Sequence, residues 1–114
     1  MKIIFTLSFN KILSKIDSIN KDDIIYLIKK YPNTNNLILI DNINDSKVIK
    51  YLLKKVRILI LFQEIKGKII PVSIVKKETT KKNITKDNYV LFLNDIERSI
   101  FDIDNKLFEE ICIN

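Results

Sequence analysis

The sequence contains no histidine, no tryptophan and no alanine. It has one glycine, one cysteine and two prolines. Each absence removes a class of chemistry. Without histidine there is no Ser-His-Asp triad, no Cys-His nucleophile and no metal site with a histidine ligand. Cys112 has no second cysteine with which to form an internal disulfide or a CxxC redox pair. Gly67 is the only glycine, so neither a phosphate-binding P-loop nor a dinucleotide fingerprint can be written in this chain. No stretch reaches the roughly 18 apolar residues of a membrane span, and residues 1–6 turn polar too soon for a signal sequence. The expectation is a cytoplasmic protein with no membrane contact.

What remains is rich in Ile, Lys and Asn. The 114 residues are 46% hydrophobic and 30% charged, the balance of a globular chain rather than a disordered one. That length predicts one domain over 1–114, long enough to build its own core.

The net charge of +6 is unevenly spread. Residues 1–46 hold six Lys and five Asp, a net of +1. Residues 47–86 hold twelve Lys or Arg against Glu64 and Glu78, a net of +10. Residues 87–114 hold Arg98 and Lys106 against seven acids, a net of −5. A cluster of this kind is either a solvated lysine-rich surface or a face that attracts phosphates by long-range field and counterion release.

Residues 2–7 are strand formers. Phe9, Ile12, Leu13, Ile16 and Ile19 follow at helical spacing, with Ser8 as the expected cap. Asn20 and Asp23 form a capping-box signature before the stripe Ile24, Ile25, Leu27, Ile28 and Tyr31. Lys29 and Lys30 suit the end of that helix, and Pro32 stops it. Residues 37–40 read as a short strand. The segment 45–55 carries two periods: Val48, Ile49, Leu52 and Leu53 fit a helix, whereas Val48, Lys50 and Leu52 alternate as a strand. Residues 56–65 are a near-continuous apolar run, the mark of a strand covered on both faces. Lys66-Gly67 predicts a turn, and residues 68–77 a returning strand in which Pro71 requires a bulge or an edge. A basic loop follows. Thr85 caps a last helix with the stripe Tyr89, Phe92, Leu93, Ile96, Ile100 and Ile103, and the apolar tail packs back on the body.

The order β-α-α-(β or β-α)-β-β-α predicts an α+β domain: a mostly antiparallel sheet, an N-terminal helical hairpin and a C-terminal helix, with the helices on one face. If 45–55 is helical, the order becomes β-α-β-α-β-β-α, a thioredoxin-like alternative without its redox motif.

Several segments together resemble the RelE/HigB/ParE superfamily of bacterial toxins from toxin–antitoxin pairs. Ile4-Phe5-Thr6-Leu7-Ser8-Phe9-Asn10-Lys11-Ile12-Leu13-Ser14-Lys15-Ile16 is similar to the family's opening strand and first helix. Val56-Arg57-Ile58-Leu59-Ile60-Leu61-Phe62 is similar to its central arginine-bearing strand. Lys76-Lys77 followed by Lys81-Lys82-Asn83-Ile84-Thr85 resembles the lysine-rich loop before the last helix of HigB-like members. The resemblance spans residues 2–104. It implies a RelE-like fold and a cytoplasmic toxin held by a cognate antitoxin in a hetero-oligomer. In many members the toxin is an endoribonuclease that cuts mRNA on the ribosome with no metal or cofactor. The ParE branch inhibits DNA gyrase instead, so the alternatives are a non-nuclease toxin or a basic nucleic-acid-binding module.

The residues suit metal-free RNA cleavage. The 2′-hydroxyl attacks the adjacent phosphorus, and cations stabilise the charge that develops on the phosphoryl oxygens. Candidate catalytic residues are Arg57, whose fork fits phosphate oxygens, with Lys77 and Lys54. Candidate RNA-binding residues are Lys55, Lys76, Lys81 and Lys82. Lys76 and Lys77 must point to opposite faces of their strand, so at most one lines a cleft; Lys77 shares a face with Ser73. Tyr89 is expected in the core, with base stacking or proton transfer as its alternative role. Arg98, among acids, is expected to be an ion-pair partner. The family's several arginines and its C-terminal tyrosine have no counterpart here, and no general base is identified.

Overall fold

The computed structural model describes residues 1–31, 37–53, 56–76 and 84–113. The elements are β1 (Lys2–Thr6), α1 (Leu7–Ser14), α2 (Lys21–Lys30), β2 (Leu37–Ile43), β3 (Ser46–Leu53), β4 (Val56–Ile65), β5 (Lys68–Lys76), α3 (Lys86–Asp104) and β6 (Phe108–Cys112). The six strands form one sheet in the order β2-β3-β4-β5-β1-β6. Strands β2 to β5 are an antiparallel meander. β1 then lies parallel to β5 and antiparallel to β6; its pairing with β5 is the one parallel contact among the described residues of a mostly antiparallel sheet.

Of the segment 45–55, residues Ser46–Leu53 form a strand, β3. Asn44 and Asp45 both take positive φ, 47° and 63°, and Ile43 pairs directly with Ser46. This is a two-residue hairpin turn whose twist matches the strands it joins, and Asn and Asp tolerate that conformation better than other non-glycine residues. β3 is thereby committed to pairing on both sides, which overturns the thioredoxin-like alternative. Lys66 and Gly67 repeat the device at φ 49° and 78° between β4 and β5.

Pro71 sits beside a register shift opposite Leu61 and Phe62. β5 is an interior strand, so the missing donor is accommodated by a bulge rather than at an edge. The shift also changes which face the later residues of β5 present. Ile70 and Val72 belong to the core under α3, and Ile74 to the opposite core.

The helices cover both faces of the sheet, not one as the sequence suggested. Phe9 and Leu13 of α1 and Ile24, Leu27 and Ile28 of α2 pack with Ile3, Phe5, Ile58, Ile60 and Phe62. Phe92 and Ile96 of α3 pack on the other face with Ile4, Leu59, Leu61, Ile70 and Val72. This two-sided burial explains why β4 reads as an unbroken apolar run. Burying each of these large side chains contributes about 1.5–3 kcal/mol.

The helix starts follow local chemistry. Thr6, not Ser8, caps α1, accepting from the Phe9 N–H. The reason is distant in sequence: the Ser8 N–H donates to the buried Asp102 carboxylate of α3 at 2.7 Å. Asn20 and Asp23 form the expected capping box, and Thr85 caps α3. The tail packs back as an added edge strand, β6, where Glu110 lies 3.7 Å from Lys2 and 3.2 Å from Lys68.

Candidate nucleic-acid interface

Strand alternation fixes the positions of the described cations. Ile58, Ile60 and Phe62 belong to the α1/α2 core, and Leu59 and Leu61 to the α3 core. Arg57 therefore lies on the α3 side of the sheet, where it is exposed and opposite Leu52 of β3. Lys50 pairs with Leu59 and shares that face. Diagonal neighbours of this kind lie roughly 7–8 Å apart, close enough for a guanidinium and an ammonium on long stems to converge on one phosphate. Neither side chain forms an ion pair with a described residue. The described pairs engage Lys2, Lys21, Lys47, Lys68 and Arg98 instead.

Lys76 ends β5 at the same end of the sheet and is exposed, but it pairs with Ile58 and so lies on the opposite face from Arg57. The structure thus brings Arg57 and Lys76 onto adjacent strands without placing them on one surface. Lys54, Lys55, Lys77, Lys81 and Lys82 lie outside the described residues. Sequence reasoning missed Lys50. The available signal was the alternation Val48-Lys50-Leu52, which pairs Lys50 with the Arg57 face once 46–53 is a strand.

A polar cluster lies under α3. Ser73 Oγ donates to Asp95 Oδ2 at 2.5 Å, and Arg98 Nη1 donates to Asp95 Oδ1 at 3.2 Å. Burial pushes the Asp95 carboxyl above the usual carboxylate range, and the bonds from Ser73 and Arg98 offset this only in part. Asp95 is sealed beneath its helix, so the arrangement registers α3 on β5 and offers no surface for a substrate. Arg98 is the ion-pair partner the sequence indicated.

Tyr89 is 44% exposed rather than in the core, and Ile100 is likewise exposed. The buried face of α3 carries Phe92, Asp95, Ile96, Ser99 and Asp102: Phe92 and Ile96 pack in the core, and Ser73 and the Ser8 N–H bond the two carboxylates. Among the described residues, no group of three His, Cys, Asp or Glu side chains is placed to hold a metal ion. No helix among them is long and apolar enough to cross a membrane.

No protein-family model, no curated protein and no solved structure matches this chain.

Proposed function

We propose that the protein is the toxin of a toxin–antitoxin pair, acting on mRNA at the ribosome as an endoribonuclease through a Lys/Arg cluster. The observation that carries this reading is the placement of Arg57 and Lys50. Both stand on one face, at one end of the sheet, with no described acid to neutralise them. Two cations with no ion-pair partner among the described residues are, at this spacing, suited to a phosphodiester: one fixes the phosphate and both stabilise the charge that grows on its oxygens during attack by the 2′-hydroxyl. In sequence, Lys54 and Lys55 lie between β3 and β4, and Lys77, Lys81 and Lys82 follow β5; all five lie outside the described residues. Support for the family reading comes from an opening strand that runs directly into a helix and from a central strand that bears Arg57.

The test is induction in a bacterial host, with growth followed and transcript 5′ ends mapped. Arrest with new mRNA ends, both lost in Arg57→Ala/Lys77→Ala and in Arg57→Ala/Lys50→Ala, is the expected result. Arrest without new ends identifies a non-nuclease toxin of the gyrase-directed kind. Normal growth with abundant folded protein overturns the toxin reading and leaves a binding module.

A further inference from the structure

β6 is attached to the domain more lightly than any strand inside the sheet. It lies at an edge and pairs with β1 alone among the described residues. Phe108, Glu109, Glu110 and Cys112 are exposed. Ile111 is half-buried against the α1/α2 core, and Ile113, just past the strand, enters that core. Clefts of about 390 Å³ and 200 Å³ open at the two ends of β6, the first between Phe5, Lys21, Phe108 and Glu109, the second between Met1, Ile28, Tyr31 and Ile113. A strand bordered by clefts lacks part of the dispersion contact that a packed interior supplies.

The side chains of β6 are tied down by charge on both faces. Glu109, opposite Phe5, meets Lys21 of α2 on one face. Glu110, opposite Ile4, lies 3.7 Å from Lys2 and 3.2 Å from Lys68 on the other. All three pairs are partly exposed, where each ion pair is individually weak. The neighbouring elements are secured without β6. α3 ends in its own cap, with Lys106 at φ 57° and the Leu107 N–H donating to the Asp102 carbonyl at 2.8 Å. The Leu107 carbonyl accepts from the Leu7 N–H at 3.0 Å, which places the pivot at Phe108. β1 keeps its pairing with β5, and Ile3, Ile4 and Phe5 are buried in the two cores.

We propose that β6 is a strap that opens and recloses while the rest of the domain stays folded, and that the ion pairs of Glu109 and Glu110 set how often it opens. The open state bares the outer edge of β1 and the side of the cleft formed by Phe5. Arg57 and Lys50 take no part in this, so the strap stands apart from the RNA reading. The register supplies reporters. The Ile113 N–H donates to the Met1 carbonyl at 2.9 Å. Alternation along the antiparallel pair then turns the Ile111 and Glu109 N–H groups toward β1, and those of Phe108, Glu110 and Cys112 outward. The amides of Glu109, Ile111 and Ile113 therefore report opening of the strap. Those of Ile60 and Leu61 in β4, a strand paired on both sides, report unfolding of the whole.

The experiment is amide hydrogen exchange on the intact ¹⁵N-labelled protein, read by NMR at several urea concentrations below the unfolding transition. Relative to intrinsic rates, the three β6 amides are expected to exchange at least about 100-fold faster than Ile60 and Leu61, with little dependence on urea, because local opening exposes little surface. Glu109→Gln/Glu110→Gln should speed the β6 amides by about threefold or more. Ile49→Val lies in the core of β3, and three strands stand between β3 and β6. It should speed Ile60 and Leu61 by about twofold or more and leave the β6 amides unchanged, because the open state keeps that core. β6 amides that follow Ile60 and Leu61, in urea or in Ile49→Val, open only by global unfolding and would overturn the proposal. So would a Gln pair that leaves the β6 amides unchanged, since the glutamates would then hold nothing.

Discussion

The Ser73 hydroxyl of β5 and the Asp95 carboxylate of α3 meet at 2.5 Å inside the protein, twenty-two residues apart in the chain. This contact and that of Asp102 on the Ser8 N–H lie on the same face of α3 as the core residues Phe92 and Ile96.

Removing the Asp95 carboxylate separates its two roles. Asp95→Ala leaves the buried Ser73 hydroxyl without its acceptor and should cost about 1–3 kcal/mol by chemical denaturation. Asp95→Asn keeps an acceptor and removes a buried charge, and should change stability by less than about 1 kcal/mol near neutral pH. The pH dependence has a definite sign. The folded-state value of Asp95 lies above its unfolded value. Its stabilising contribution is therefore complete below the unfolded value, near 3.8, and is lost as pH rises through the raised folded value. Denaturation curves of the wild type minus those of Asp95→Asn should show this fall, and the difference should vanish if the carboxyl is not perturbed. Glu110, held low by Lys68 and Lys2, has the opposite dependence and cancels in the difference.

Ser99 lies one turn beyond Asp95 on the same buried face, and its hydroxyl has no hydrogen-bond partner among the described residues. Ser99→Ala relieves that burden at almost constant volume. It should leave stability unchanged or raise it by up to about 1 kcal/mol. A marked loss in thermal unfolding would mean that the hydroxyl has a partner in solution.

For Arg57 and Lys50, the measurement is single-stranded RNA affinity as a function of salt. Each contact between a cation and a phosphate contributes roughly 0.7 to the slope of log affinity against log salt. Arg57→Ala and Lys50→Ala should each lower the slope by about that amount. Lys76→Ala, on the other face, should lower it less. An equal effect at Lys76 would indicate RNA passing around the end of the sheet rather than lying on one face.

The two hairpin turns should respond to backbone strain alone. Gly67 has φ 78°, and a Cβ added there would meet nothing within 4 Å. Gly67→Ala should therefore destabilise by about 1–2 kcal/mol through conformation without a clash. Asp45→Val, at φ 63°, should cost at least as much, because branching at Cβ worsens the left-handed conformation.

Strands β1, β4 and β5 and the starts of α2 and α3 were legible because their causes are local. The Asn20–Asp23 box, the Lys66-Gly67 turn and the apolar run of β4 each depend on neighbours in sequence. Residues 46–53 were ambiguous because Val48, Ile49 and Leu52 satisfy both periods. The deciding signal, Asn44-Asp45 as a positive-φ turn, lies just outside the run. The rotation of α3 was legible in part: Phe92 and Ile96 of the expected stripe are buried and Leu93 and Ile103 pack beside them, whereas Tyr89 and Ile100 are exposed. The polar contacts of Asp95 with Ser73 and of Asp102 with the Ser8 N–H, which set the other border of the buried face, come from residues distant in sequence. The same limit applies to the candidate site. Arg57 was found from its strand, whereas Lys50 became its neighbour only through pairing between β3 and β4.

The position of β1 has a consequence for biosynthesis. The first strand made is inserted between two strands made much later: Lys2 pairs with Lys68 on one side and with Cys112 on the other. While the chain is still being translated, the meander β2–β5 can assemble, but the slot for β1 gains its second wall only when β6 emerges. Pairings this remote in sequence raise contact order and delay the final step of folding. The α1 contact with Asp102 waits for the same event, since α3 precedes β6 by only a few residues. Ile3, Phe5 and Phe9 can pack on α2, β4 and β5 before then, so the docking of α3 and β6 is the step that completes the sheet and the contact between the two ends of the domain.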